Sequence, residues 1–179
     1  MPITITVTRQ PDVSAWADAI TAGIEAWAPA AAEALREAAD SCFEREVDPW
    51  GAAWAPLAQV TINERNRLGQ AGKILQRTGV LRRSLAGYPV TPTSGVTRAR
   101  VAPGGPAAVY AAVHQFGGEH TPARPYLPIR PGGIVELPRE LHEELVAMAL
   151  ASIRAAIRAR GGGGAEPVAA APPLVATGT

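Results

Sequence analysis

The chain has 179 residues, 47% of them hydrophobic but only 5% aromatic, and a formal net charge of +1. That length suits one core and is short for two, and so small a net charge gives no global argument for nucleic acid or a membrane surface. A single cysteine, Cys42, excludes an intramolecular disulfide and fits a reducing compartment.

Much of the apolar count is alanine, which buries little area per residue, so a modest core that leans on helix packing is expected. The charge is unevenly spread. Residues 1–60 hold three basic and nine acidic groups (−6), residues 61–130 ten and two (+8), and the remainder four and five (−1). Opposite ends meeting head to tail in a ring is one reading. Solvated faces that merely differ in sign is the other, and charge alone favours it. No basic-then-apolar start resembles a signal peptide and no run approaches a membrane span, so assembly in the cytosol is expected.

Residues 3–9 alternate Ile or Val with Thr, the pattern of a half-buried strand. Pro11 ends it and Asp12 is a plausible N-cap. Ile20, Ile24, Trp27, Ala31, Ala34, Ala38 and Cys42 then form one apolar stripe over about residues 13–46. Pro29 interrupts the stripe, and a second helix opening on Pro29 is preferred to a kink. Trp16 and Trp27 read as packing residues. All four Trp lie before residue 55. In the turn-rich loop Asp48–Leu57, Trp54 reads as a plug at the end of the helix layer, and Trp50 as either a plug or an interface anchor.

Residues 61–73, polar and basic with two Gly, read as a mobile loop. Thr78-Gly79 is a turn, and Arg82 and Arg83 after it read as solvated surface, with contact to DNA phosphates as the alternative. Residues 84–91 and 96–102 form a hairpin, in which Pro89 marks an edge strand or a bulge. Val109, Val113 and Phe116 share one helical face that is expected to be buried. Gly117 and Gly118 end that helix. Pro122 and Pro125 hold an extended arm carrying Arg124 and Tyr126 outward. Leu137-Pro138 opens a last helix of roughly 35 Å, with Glu140, Glu143 and Glu144 early and Arg154, Arg158 and Arg160 late. Ile20, Leu141 and Leu145 are expected in the core. A Gly/Ala/Pro-rich flexible tail, residues 161–179, follows a single domain over 1–160.

Candidate chemistry is sparse. His114, Glu119 and His120 are the only cluster resembling a metal or acid–base site, and they lack an HExxH spacing. Ser84 and Ser152 have no adjacent base, and no Gly run carries the Lys-Ser/Thr of a phosphate loop. No cofactor and no enzyme site is expected. A metal-dependent hydrolase using the His114 cluster is the distant alternative.

Three motifs stand in order. They are Trp54-Ala-Pro-Leu57; Ile74-Leu-Gln-Arg-Thr-Gly-Val-Leu-Arg-Arg-Ser84; and Tyr110-Ala-Ala-Val-His114-Gln115-Phe116-Gly117-Gly118 with Pro122-Ala-Arg124-Pro125-Tyr126-Leu127. Together they resemble the phage virion morphogenesis family, the tail-completion proteins of Mu-like and P2-like phages and related prophages. The resemblance implies an α+β fold, a small antiparallel β-sheet packed against long N- and C-terminal helices. It also implies a structural virion protein at the head–tail interface, a ring oligomer (hexameric in such proteins), and contact with tail tube and head–tail connector proteins. A DNA-contacting neck protein is the alternative within that setting, and no membrane is involved. Trp50, Trp54, Arg82, Arg83, Tyr110, His114, Gln115, Phe116, Gly117, Gly118, Arg124, Pro125 and Tyr126 are the structural and interface candidates. Arg124 is expected to organise carbonyls or a carboxylate rather than to act catalytically. The chain departs from the family's usual Phe-Leu-Gly after Pro-Ala-Arg-Pro, having Tyr126-Leu127-Pro128.

Overall fold

A computed structural model describes residues 13–93 and 96–161. The strand expected over residues 3–9, the Asp12 cap and the tail beyond Gly161 lie outside these. The fold is α+β, with two long helices and a small antiparallel sheet.

Helix α1 (Val13–Arg45) runs unbroken through Pro29, so the second helix expected there does not exist. A helix-interior Pro costs about 3 kcal/mol or more, but packing on both sides of it offsets the loss. Helix α5 (Arg139–Gly161) lies antiparallel along α1, bringing Arg160 to Asp18, Ile153 to Gly23 and Leu145 to Trp27, whose Nε1 donates to the Leu145 carbonyl at 3.1 Å. Ala31, Ala34, Leu141 and Leu145 form a buried cluster between the two helices. The approach is close: a Cβ on Gly23 would sit 2.5 Å from Ile153 Cα. So close a crossing selects Ala19 and Gly23 for the buried side. The larger Trp16 and Ile20 consequently face out, against their expected burial.

The second core joins the far end of α1 to everything that follows. Phe43 sits at its centre, with Trp54 edge-on at 5.5 Å and Tyr126 at 5.2 Å, beside Leu81, Leu85, Ala111 and Leu127. Fully burying a Phe side chain contributes about 1.5–3 kcal/mol. Strands β1 (Leu85–Thr93) and β2 (Val96–Pro103) pair antiparallel from Leu85↔Pro103 to Thr93↔Val96 and lie against α1. Their register shifts between Val90 and Thr93, just after Pro89, which cannot donate to a ladder.

Residues 59–67 are a helix, α2 (Gln59–Arg67), and not a mobile loop. Weakly apolar sequence hid it, and what holds it is one buried side chain: Arg65 Nη1 donates to the carbonyls of Lys73 at 3.1 Å and Gly72 at 3.4 Å. A five-residue helix, α3 (Val80–Ser84), follows Gly79, whose φ of 68° suits glycine. A single 3₁₀ turn (Gly105–Ala107) leads into α4 (Ala108–Phe116). Between α4 and α5 lies a two-residue-per-strand hairpin, β3 (Ile129–Arg130) and β4 (Ile134–Val135).

Candidate functional site

The last turn of any helix leaves carbonyls without partners, and here the second motif and the lysine just before it supply them. Gln76 Nε2 donates to the Phe43 carbonyl at 2.7 Å, and Lys73 Nζ to the Glu44 carbonyl at 2.7 Å and its carboxylate at 2.8 Å. Glu46, in the left-handed region at φ 54°, ends α1 and receives the Ile74 N–H on its carboxylate. Arg82 forks onto Asp40 at 2.6 and 2.7 Å and also pairs with Glu44. It is therefore no solvated surface group. Its hydrogen bonds hold the Asp40 carboxyl below the usual carboxylate range. Arg83 is exposed and donates to the Thr78 carbonyl at 2.8 Å.

The third motif folds inward. Gln115 is buried on α4, where its Oε1 accepts the N–H groups of Tyr126 and Leu127 at 3.1 Å each. Its Nε2 donates to the carbonyls of Leu127 at 2.9 Å and Ile129 at 3.0 Å. One amide thus stands in for a neighbouring strand. Gly117, at φ 84°, makes the turn; a Cβ there would meet Ala123 N at 3.1 Å and Thr121 O at 3.2 Å. Gly118 and Thr121 exchange backbone hydrogen bonds, and the Arg124 N–H caps the His114 carbonyl at 2.7 Å. Tyr126 is buried against Phe43 rather than carried outward, and Arg124 turns inward too, with Nε on the Ala55 carbonyl at 2.8 Å and Nη2 on that of Pro56 at 3.0 Å. Trp54 Nε1 donates to the Pro125 carbonyl at 2.7 Å. The first and third motifs therefore hold each other through Trp54 and Arg124.

Inverting the arm also inverts α4. Its buried side is Ala111 and Gln115, continuing from Ala107 just before it, while Val109 is 87% exposed and Val113 and Phe116 are each 42% exposed. The spacing of 109, 113 and 116 marks one face, but that face is the outer one. Gln115 carries the inner side because it meets four backbone groups that no Val or Phe could satisfy. Trp50 lies under the Arg130 guanidinium, 3.4 Å from its ring centroid, and donates to the Glu136 carbonyl at 3.2 Å.

Beside α4 opens a cleft of about 720 Å³, lined by Pro56, Arg65, Arg77, Tyr110, His114 and Arg124 among others. Arg65 is only 7% exposed and Arg124 6%, and among the described residues neither pairs with a carboxylate. Arg77 does pair, with Glu64 at 3.3 Å. Burial, and then the Arg65 charge, lowers the pKa of Arg124; burial, and then the Arg124 charge, lowers that of His114. The Tyr110 ring stands edge-on to His114 at 5.6 Å. Among the described residues neither Arg65 Nε nor His114 Nδ1, both inaccessible, has a hydrogen-bond partner. Glu119 and His120 pair at 3.7 Å with both side chains exposed, and His120 lines the same cleft as half-buried His114. Among the described residues no three His, Cys, Asp or Glu groups gather to hold a metal ion. Sequence reading counts Arg65 among the basic residues of a loop, or of a DNA-contacting stretch from Arg65 to Arg83, and not as a buried group, because a lone Arg in a polar stretch signals nothing about burial.

The fold and this junction define an α+β scaffold whose signature side chains hold one stretch of backbone against another. The chain belongs to the phage virion morphogenesis family, which it matches over residues 12–151. It is thus a protein of virion morphogenesis. It is also 35% identical over 111 residues, 62% of this chain and 72% of the other, to Mu-like prophage FluMu G protein 1 of Haemophilus influenzae. No solved structure matches it. Among the described residues no helix is long and apolar enough to cross a membrane.

Proposed function

We propose that the chain is a tail-completion subunit, acting as a ring of like copies at the head-proximal end of a phage-type tail and meeting tail tube and head–tail connector proteins there. The observation that carries this reading is what the three family motifs do. Trp54, Gln76, Arg82, Gln115 and Arg124 satisfy backbone groups or internal carboxylates. Residues used in that way build a rigid part, and leave the outer faces of α4 and α5 for assembly. Binding along DNA would instead need a free row of cations. Here Arg65, Lys73, Arg77 and Arg82 are all engaged within the chain. That favours an assembly part over a protein that tracks along DNA.

The test is deletion of the gene from a particle-producing host. Unjoined heads and tails, or tails of irregular length, are expected by electron microscopy. Normal joined particles would overturn the reading.

A further inference from the structure

Resting on that ring reading, we propose that neighbouring copies join head to tail, the outer face of α5 on one copy seating against the α4 stripe and basic cleft of the next. The acceptor is Val109, Val113 and Phe116 with the adjoining cleft. A nine-residue helix that turns three large apolar side chains outward leaves an apolar patch in water. Beside it the buried Arg65 and Arg124 face no carboxylate among the described residues. A buried cation without a counter-charge is costly, so both features ask for the same thing: an apolar surface that brings an acid.

The chain carries such a surface. On α5, Glu140, Glu143, Val146 and Leu150 recur at three- and four-residue steps and share one face. All four are exposed, and among the described residues Glu140 has no ion pair. The two faces match in apolar content, and Glu140 is the acid the donor brings, since Glu143 already pairs with Arg139 at 2.7 Å; each copy owns one face of each kind. That is the requirement for a heterologous contact, which closes into a ring when its rotation allows. Val109, Val113 and Phe116 present far less than the ~800 Å² per partner of a stable contact. The cleft rim with Tyr110 and Arg77 must therefore join the interface. Those rim charges govern encounter rate and salt dependence, whereas the apolar residues set the lifetime.

The experiment uses the purified full chain in sedimentation velocity from micromolar to millimolar concentration, at low and high salt. Val113→Asp breaks only the acceptor and Leu150→Asp only the donor. Both sites are exposed, and circular dichroism checks that the fold is kept. The wild-type chain should associate, and each variant alone should need at least about tenfold more protein to do so. An equimolar mixture of the two should form a one-to-one pair that grows no further, because it retains one intact acceptor and one intact donor. A wild-type chain that stays monomeric throughout overturns the proposal, and so does a variant that associates normally or a mixture that fails to pair. The outcome is separable from the particle test: a deletion that leaves heads and tails unjoined keeps the tail-completion reading even if these faces do not pair.

Discussion

Gln115 ties Tyr126 to α4, and Tyr126 itself is held to that helix twice. Oε1 of Gln115 accepts the Tyr126 N–H at 3.1 Å, and the Tyr126 phenol donates to the Ala111 carbonyl, one turn earlier on α4, at 3.3 Å. The first bond fixes the arm's backbone and the second fixes the ring that fills the space beside Phe43. Replacing Gln115 by Met keeps the volume and takes from the N–H groups of Tyr126 and Leu127 the acceptor they share. Destabilisation of about 2–4 kcal/mol is expected in urea denaturation. Gln115→Glu should be intermediate, since a carboxylate still accepts two N–H groups but repels the facing carbonyls. A Met variant as stable as wild type would mean that the amide holds nothing.

Arg124→Lys keeps the positive charge and loses the fork that reaches the carbonyls of Ala55 and Pro56 together. The expected cost is about 1–3 kcal/mol. Hydrogen exchange should rise first in residues 54–57, which the fork secures. Unchanged protection there would count against the role.

Gly23→Ala tests the helix crossing. Alanine is the better helix former by about 1 kcal/mol, so a solvent-facing glycine would gain stability. Here the new Cβ meets Ile153 backbone at 2.5 Å, and backbone cannot swing aside. Net destabilisation is expected from overpacking of typically about 1–3 kcal/mol. A higher melting temperature would show that α1 and α5 part easily.

Alkaline pH should weaken the second core through two groups. Burial pushes the Cys42 thiol from 9.0 to about 11 and the Tyr126 phenol from 10.0 to about 12. In both cases the unfolded chain ionises first, so the stabilisation is whole below pH 9.0 and is lost as pH rises through the folded values. Tyr126→Phe removes one titrating group and a weak hydrogen bond. It should flatten the fall in stability above pH 10.0, at a cost of less than about 1 kcal/mol at neutral pH. A pH profile as steep as that of wild type would remove Tyr126 from the account.

Much here follows from local rules acting on the sequence alone. Periodicity places α5 and most of α1, the Pro and Gly punctuation sets the β1–β2 hairpin and the end of α4, and the three motifs carry the family. Such features depend on backbone geometry within a few residues of the signal. Four outcomes depended on groups beyond the reach of a local signal. Pro29, itself exposed, stays inside α1 because α5 packs against the residues on either side of it, and Gly23 rather than Ile20 is buried because that packing is close. Arg65 turns a polar stretch into a helix by reaching the Gly72 and Lys73 carbonyls. Val113 and Phe116 lie outside because Gln115, one polar residue among apolar neighbours, finds four backbone partners on residues 126–129. An apolar stripe declares which residues share a face. Whether that face goes in or out depends on the backbone groups that need partners on the other side, and only the tertiary structure brings those together.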